Sequence, residues 1–469
     1  MIWLERLNRY LLWLAIIVLP WQLRHTFFFA YHNGEFFEYA SLSFYLSDVV
    51  ILCLLVVWLV EIFFKRTSFV WGPKSITYAM ILWLVWMWVS VIITSCSTGN
   101  GAVAALAVGH FTLFFSFYLY LLNHVKDIRN LLWPLAMGVV LQNVLATGQY
   151  WVNRSLGWKW LGESVLNPNE LGIPVVLVAG ERQLRAHGTL PHANILGGIL
   201  AYATTVLIAG YSGVKIYWQQ LIIWAIITLS FVAIILSFSR SAWLAMGLAG
   251  LFLLVTASIL GHYLVKVNWW LLIITLGIVL GLIVYQWPAI TSRFDLNQNN
   301  IERESIVSRV GQWEQFQDVF AVSSWFGLGV GQYSLKLEQD DIKSFGWHYD
   351  TNKSGWEYSI GHQVWDYQPI HNIYLLALAE TGVVGGLLLI WLLLSVLVVG
   401  WWSTWRTRNL LGWGVWLGYV GILTIGLFDH YLWTLQQGRL ILFLSIGLIS
   451  IYSINQQLYD GRAPIKSDI

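Results

Sequence analysis

The sequence predicts an all-α polytopic membrane protein of about 12 transmembrane helices, on three observations. Hydrophobic residues make up 58% of the 469 and charged residues 11%, whereas a soluble chain carries about 25% charged residues. So few charges cannot cover a water-facing surface of this size, so lipid must solvate most of it. The 30 Trp and 22 Tyr belong to the two residue types that gather at membrane–water boundaries. Finally, apolar stretches long enough to cross a hydrocarbon core recur along the whole chain.

Those stretches are 8–23, 46–64, 75–94, 102–122, 131–151, 190–210, 219–238, 241–260, 269–287, 372–398, 411–430 and 439–455. The first ends in Leu19-Pro-Trp-Gln-Leu-Arg24 with no small-residue cleavage site, so it reads as a retained helix. An even number of spans puts both termini on one side. The connections 1–9, 65–74, 123–130, 211–218, 261–268, 399–410 and 456–469 hold 13 Lys plus Arg. The short connections opposite hold only Arg24, Arg240 and Arg439. The bias makes both termini and the tail 456–469 cytoplasmic, and the long segments 152–189 and 288–371 external. Residues 1–469 read as a single integral membrane domain whose large external loop, 288–371, precedes span 10. Within that loop Val310, Trp313, Phe316 and Phe320 recur at helical spacing and predict an amphipathic helix over 306–322 on the membrane surface.

Several function classes are excluded. A net charge of +2 does not favour nucleic acid. Two cysteines, Cys53 and Cys96, exclude a disulfide framework or cysteine-based metal cluster. There is no GxxxxGK[ST] phosphate loop, HExxH or GxSxG, and no pair of aspartates two apart. Gly327-Leu-Gly-Val-Gly331 follows no strand, and reads as a flexible reversal after the surface helix.

Cations on the external side are the first candidates for chemistry. Arg185 precedes span 6, Arg240 sits in the turn Ser237-Phe-Ser-Arg-Ser241, and Arg309 opens the surface helix. A guanidinium offers forked donors that match phosphate oxygens in pairs, although snorkelling to headgroups or a surface ion pair would also explain an arginine there. His371 ends the long loop, where a histidine can move a proton near neutral pH. Asn372 can orient its ring or cap the next helix. Glu380 lies about 13 Å further along that helix, as a functional acid or as a hydrogen-bonded packing residue beside the glycines. His192 and Asn194 flank the start of span 6 as cavity-facing or capping residues. Asp429, His430, Gln436, Gln437 and Arg439 form a further polar cluster read as packing or support.

Four blocks, Arg185-Ala-His-Gly-Thr-Leu-Pro-His-Ala-Asn194, Ser237-Phe-Ser-Arg-Ser-Ala-Trp243, Ser308-Arg-Val-Gly-Gln-Trp313 with Gly327–Gly331, and His371-Asn-Ile-Tyr-Leu375 with Glu380-Thr-Gly382, resemble in that order the O-antigen ligase/polymerase superfamily. The resemblance covers roughly 180–390, and Pro191-His-Ala-Asn194 departs at one position from the family's Gly-His-Pro-Asn. It implies a GT-C-like helical bundle in the inner (cytoplasmic) membrane of a bacterium, working on the external face in cell-envelope polysaccharide biosynthesis. Such proteins take a glycan from an undecaprenyl-pyrophosphate lipid. Ligases pass it to lipid A–core, relatives to protein, and polymerases to another lipid-linked repeat. The expected partners are therefore a lipid-linked donor, a lipid, protein or glycan acceptor, and membrane lipids. The family's pyrophosphate-binding arginines carry over to Arg185 and Arg240, its essential histidine to His371, and a motif arginine to Arg309. His192, Asn194 and Asn372 complete the expected substrate-binding set. The implied transfer is inverting, with His371 as base, and needs no metal or other cofactor.

Ligase and polymerase are not separated by these residues. A transporter or flippase is the alternative of another class, but only Glu380 lies at the depth such proteins use for ionisable sites. A metal-dependent enzyme using Glu35, Glu38 and Asp48 is a third reading.

Overall fold

The structure, a computed structural model, describes residues 2–459 except 66–68, 99–100, 171, 179, 212, 260–267, 296–299, 323, 345, 351–354 and 360–363. Residues 460–469 of the expected tail thus lie outside the described residues, as do parts of the 288–371 loop. The chain is an all-α membrane bundle, with small sheets confined to its connections. In chain order its elements are α1 (Ile2–Val18), β1 (Arg24–Phe28), β2 (Tyr31–His32), β3 (Glu35–Phe36), β4 (Leu42–Tyr45), α2 (Leu46–Lys65), α3 (Lys74–Thr98), α4 (Gly101–His124), α5 (Leu132–Val152), β5 (Val175–Val178), β6 (Glu181–Leu184), α6 (Ala193–Tyr211), α7 (Tyr217–Leu236) and α8 (Arg240–Ile259). They continue with α9 (Trp269–Tyr285), α10 (Trp287–Ser292), α11 (Asn300–Val322), α12 (Tyr333–Ser344), β7 (Gly346–Asp350), β8 (Gly355–Ser359), α13 (Ile373–Thr407), α14 (Leu410–Ile425), α15 (Tyr431–Thr434) and α16 (Gln436–Tyr459).

Each of the twelve expected spans coincides with a helix. Among the described residues nine helices are long and apolar enough to cross a membrane, with α9 and α14 as shorter apolar helices. The largest departures from the expected boundaries fall on three helices. α1 begins earlier and ends before Pro20, because the residue preceding a proline is driven out of the helical region. α13 runs nine residues past the expected end, whereas α14 stops at Ile425 and leaves Gly426–His430 as a turn. The strands were not expected. All pair as antiparallel hairpins, β1 with β4, β2 with β3, β5 with β6 and β7 with β8. The innermost turns on Asn33-Gly34, both at positive φ, the backbone that tight hairpins require.

α6 and α16 are the most enclosed spans, and α14 packs between α6 and α8. Small residues permit this closeness: a Cβ on Gly414 would lie 2.1 Å from that of Ala209 on α6. α13 packs on α3 and is broken at Gly382, where φ is 68°. In lipid the carbonyls freed by such a break must find partners. The segment 324–333 supplies them: Leu328 N donates to Ala379 O (3.0 Å), Gly329 N to Glu380 O (2.8 Å), and Val383 N donates back to Ser324 O (2.8 Å). Trp86 Nε1 donates to Thr381 O at 2.8 Å. Gly327–Gly331 is therefore stitched into the break rather than being a free reversal. Glu380 completes the stitch: its carboxylate accepts from Gly331 N (2.8 Å), Tyr333 N (3.2 Å) and Trp433 Nε1 (2.6 Å). Its geometry is that of the packing residue.

The connections α1–α2, α5–α6, α7–α8, α9–α13 and α14–α16 meet at one end of the bundle. There α11 packs on α13, and α10 on β5. This end carries Arg185, Arg240, Arg309, His192, Asn194, His371 and Asn372.

Candidate functional site

The tight turn between α7 and α8 builds the first half of the site. Phe238 adopts a left-handed backbone (φ 48°) with its ring fully buried, which turns the chain within three residues and starts α8 at Arg240. Ala186 N donates to Leu236 O at 2.9 Å, docking the 185–192 segment on this turn. Buried Arg185 then donates Nε–H to Ser237 O (2.8 Å) and an η-nitrogen to Asn194 Oδ1 (2.5 Å). Arg240 donates to Arg293 O at 2.8 Å and sits 3.3 Å from a Glu302 carboxylate oxygen. Arg293, also buried, pairs with the other oxygen of Glu302. Half-buried Arg309 sits on α11 within electrostatic reach of Arg240 and Asp429.

Four arginines thus lie within electrostatic reach of one another. Burial, then the neighbouring Arg240 and Arg309, push Arg185 down to about 9, partly offset by Asp429. Burial, then Arg185, Arg240 and Arg309, push Arg293 down to about 8. Arginine does not shed its proton in proteins, so these depressions signal crowded positive charge. Among the described contacts, Glu302 and Asp429 set two negative charges against the four positive ones, a surplus of two.

The second half holds the histidines. Asn194 bridges the halves, with Oδ1 on Arg185 and Nδ2 donating to Asp429 Oδ2 at 3.0 Å. Asp429 Oδ1 accepts from His430 N at 2.8 Å. Burial opposes ionisation of Asp429, but His430, His371, His192 and the Asn194 amide outweigh it and hold the carboxyl below its usual range. The His430 and His371 rings meet edge to face, 5.0 Å apart. Burial pushes His430 down to about 3 and lowers His371 against the pull of Asp429. Burial and Arg185 hold His192 well below its ordinary value. These imidazoles are neutral near pH 7.

The tautomer of His371 follows from Gln312. The His371 backbone N–H donates to Gln312 Oε1 at 3.1 Å, which marks that atom as the amide oxygen. The His371 Nδ1, 3.1 Å from the same oxygen, must then carry the proton. Nε2 is left with its lone pair, the form a general base needs.

The residues singled out by sequence do not all share one role. Arg185, Arg240 and Arg309 come together, and Asn194 joins Arg185 to the acid that serves His371. His192 accepts the Asn194 N–H on Nδ1 at 3.0 Å, a local turn contact, with its ring 6.2 Å from that of His187. Asn372 caps α13, its side chain accepting from Tyr374 N and Leu375 N, and donates to Leu427 O at 3.2 Å. Arg293, Glu302 and Gln312 were missed, and Asp429 and His430 were read only as support. A signal for two of these was present: 302, 309, 312, 316 and 319 form one helical face of α11. The helix expected over 306–322 is present; of its apolar set Phe316 is buried while Val310 and Trp313 are exposed, and Glu302 and Gln312 are buried on the face that meets the bundle. Glu38 pairs with Arg24, whereas Asp48 accepts from Tyr45 N and faces His110 and Gln436, so the acids of the metal reading serve separate contacts.

Chemically, the first half can hold a dianion in paired hydrogen bonds and the second can take a proton beside it. Residues 224–390 match the O-antigen ligase family, a segment that holds Arg240, Arg293, Glu302, Arg309, Gln312, His371 and Asn372 but begins after Arg185. No curated protein matches the chain.

Proposed function

From the premise that this chain carries an O-antigen ligase domain, we propose that it is an inverting, metal-independent glycosyltransferase using an undecaprenyl-pyrophosphate-linked donor. The observation that carries this reading is the surplus of two positive charges among Arg185, Arg240, Arg293 and Arg309, placed beside a histidine with a free Nε2. A lipid–pyrophosphate–sugar diester carries the matching two negative charges. In the reaction an acceptor hydroxyl oxygen bonds to the anomeric carbon while the bond from that carbon to the pyrophosphate oxygen breaks. The electron pair leaves with the pyrophosphate, where fixed guanidinium groups offset the growing charge. His371 Nε2 takes the hydroxyl proton. Asp429, through its field on His371 and through Asn194 on Arg185, steadies the imidazolium and the clamp together.

Ligase and polymerase share this chemistry and differ only in acceptor. The cation bias of the connections favours a site on the external face and cytoplasmic termini. Glu181→Cys, on the exposed tip of the β5–β6 hairpin, should then label with an impermeant maleimide in intact spheroplasts, and labelling only after lysis contradicts this orientation. The test of function is turnover by purified protein in nanodiscs with lipid-linked glycan and acceptor. A new glycosidic bond with EDTA present supports the reading. Movement of the lipid without bond formation means a transporter, and loss restored by a divalent cation returns Glu35, Glu38 and Asp48 to consideration.

A further inference from the structure

A cavity lies beside His430, lined by the residues Tyr39 and Thr434 that contact its ring. Its walls are the β1–β4 hairpin, α4, the Gly331–Ser334 segment and the α15–α16 junction. Its volume is about 100 Å³ and it opens to solvent, which is room for a single small ring rather than for the whole ligand that a site of about 300–1,000 Å³ encloses. Its charges balance: Arg24 and Arg439 are matched by Glu38 and Glu380, in contrast to the arginine cluster. Aromatic faces come from Tyr39, Tyr45 and Trp433. Two residues of its lining, Gln436 and Ser334, each carry a buried polar atom, Oε1 and Oγ, with no hydrogen-bond partner among the described residues, and buried polar groups are ordinarily paired.

The cavity also reaches the reacting centre. The Tyr39 ring lies 6.2 Å from that of His430, itself 5.0 Å from that of His371. Thr434, on the lining, bonds His430 Nδ1 at 2.8 Å. Pro369, also on the lining, precedes His371 by two residues.

We propose that this cavity is the acceptor subsite, and that it takes an uncharged pyranose ring whose free hydroxyl is delivered past His430 to His371. The assignment rests on the glycosyltransferase reading above. Balanced charge disfavours an anion, and hydroxyl-matching side chains among aromatic faces suit a sugar better than a hydrocarbon. Specificity for the acceptor then resides in the β1–β4 hairpin, separate from the donor clamp.

The test uses Leu42→Cys and Leu106→Cys, one on each wall, in a full-length background carrying Cys53→Ser and Cys96→Ser. Each folded protein in nanodiscs is labelled with a bulky methanethiosulfonate, and the label is reversed by reductant. Transfer is measured with donor and acceptor from membranes of a strain lacking the gene, and affinity with undecaprenyl pyrophosphate as probe. Labelling should lower transfer at least about tenfold, reversibly, with lipid affinity held within about twofold. Neutral methyl glycosides at millimolar concentration should slow labelling, whereas inorganic pyrophosphate should not. Full labelling with unchanged transfer, thiols that never label, loss of lipid affinity, or protection by pyrophosphate or by no glycoside overturns the assignment. If the unlabelled protein forms no glycosidic bond, the glycosyltransferase reading fails instead.

Discussion

Arg240 and Glu302 make opposite predictions from one contact. Arg240 is held at two points, by the Arg293 carbonyl at 2.8 Å and the Glu302 carboxylate at 3.3 Å. Glu302, buried on α11, stands where a phosphate oxygen would find the same two guanidinium groups. Arg240→Lys keeps the charge but replaces a fork with a point donor. Losing one charge-assisted hydrogen bond costs about 1.5–3 kcal/mol, which is about 10- to 150-fold in kcat/KM for the donor. Arg240→Ala also removes the charge and should cost more. Glu302→Gln removes the carboxylate that competes for the clamp, so it should tighten undecaprenyl-pyrophosphate binding. Lipid titration in nanodiscs with single-turnover transfer reads both effects, at low and high salt to expose the charge contribution. An Arg240→Lys protein at parental rate, or Glu302→Gln weakening the lipid as Lys does, refutes the reasoning; the second would make Glu302 a latch that holds the arginines in place.

Two further substitutions probe the framework. Asp429→Asn keeps an acceptor for the His430 N–H but removes the charge that opposes the burial of His371. Neutral His371 is the working form, so activity is present above its folded pKa and lost as pH falls through it. The Asn variant should move that acid limb to lower pH and reduce kcat by less than the about 10²–10⁴-fold of losing the base; an unmoved limb in the pH–rate profile contradicts the role given to Asp429. Gly382→Ala forces a residue with Cβ into a backbone of φ 68° and ψ −176° that is essentially glycine's alone, at about 1–3 kcal/mol, and places that Cβ 2.1 Å from Trp325 O. Thermal unfolding in detergent should show a Tm drop of several degrees, and an unchanged Tm would mean that the stitched break carries little strain.

Sequence made the bundle legible because lipid imposes one rule, an apolar helix about 20 residues long, on every span. The hairpins were not legible: β1–β4 lies between two apolar spans, and its strands carry no clean alternation against the aromatic background. Arg185, Arg240 and His371 could be picked out because a charged or titratable group at a span end is conspicuous. Arg293 and Glu302 could not, since a loop arginine and a helical glutamate look like ordinary surface polarity until folding buries both. Gln312 was hidden because the apolar spacing of Val310 and Trp313 draws the eye to a different face of α11. Glu380 stood out as a buried acid, yet the partners that explain it, Gly331, Tyr333 and Trp433, lie 47 to 53 residues away.

On the proposed mechanism His371 accepts the proton of the attacking hydroxyl while the arginines hold the donor. The most direct test is His371→Ala in nanodiscs, with undecaprenyl-pyrophosphate affinity and glycan transfer measured on the same preparation. The account predicts transfer lower by about 10²–10⁴-fold with lipid affinity within about twofold of the parent. A variant that binds lipid and transfers glycan at the parental rate, from mildly acidic to mildly alkaline pH, would contradict it.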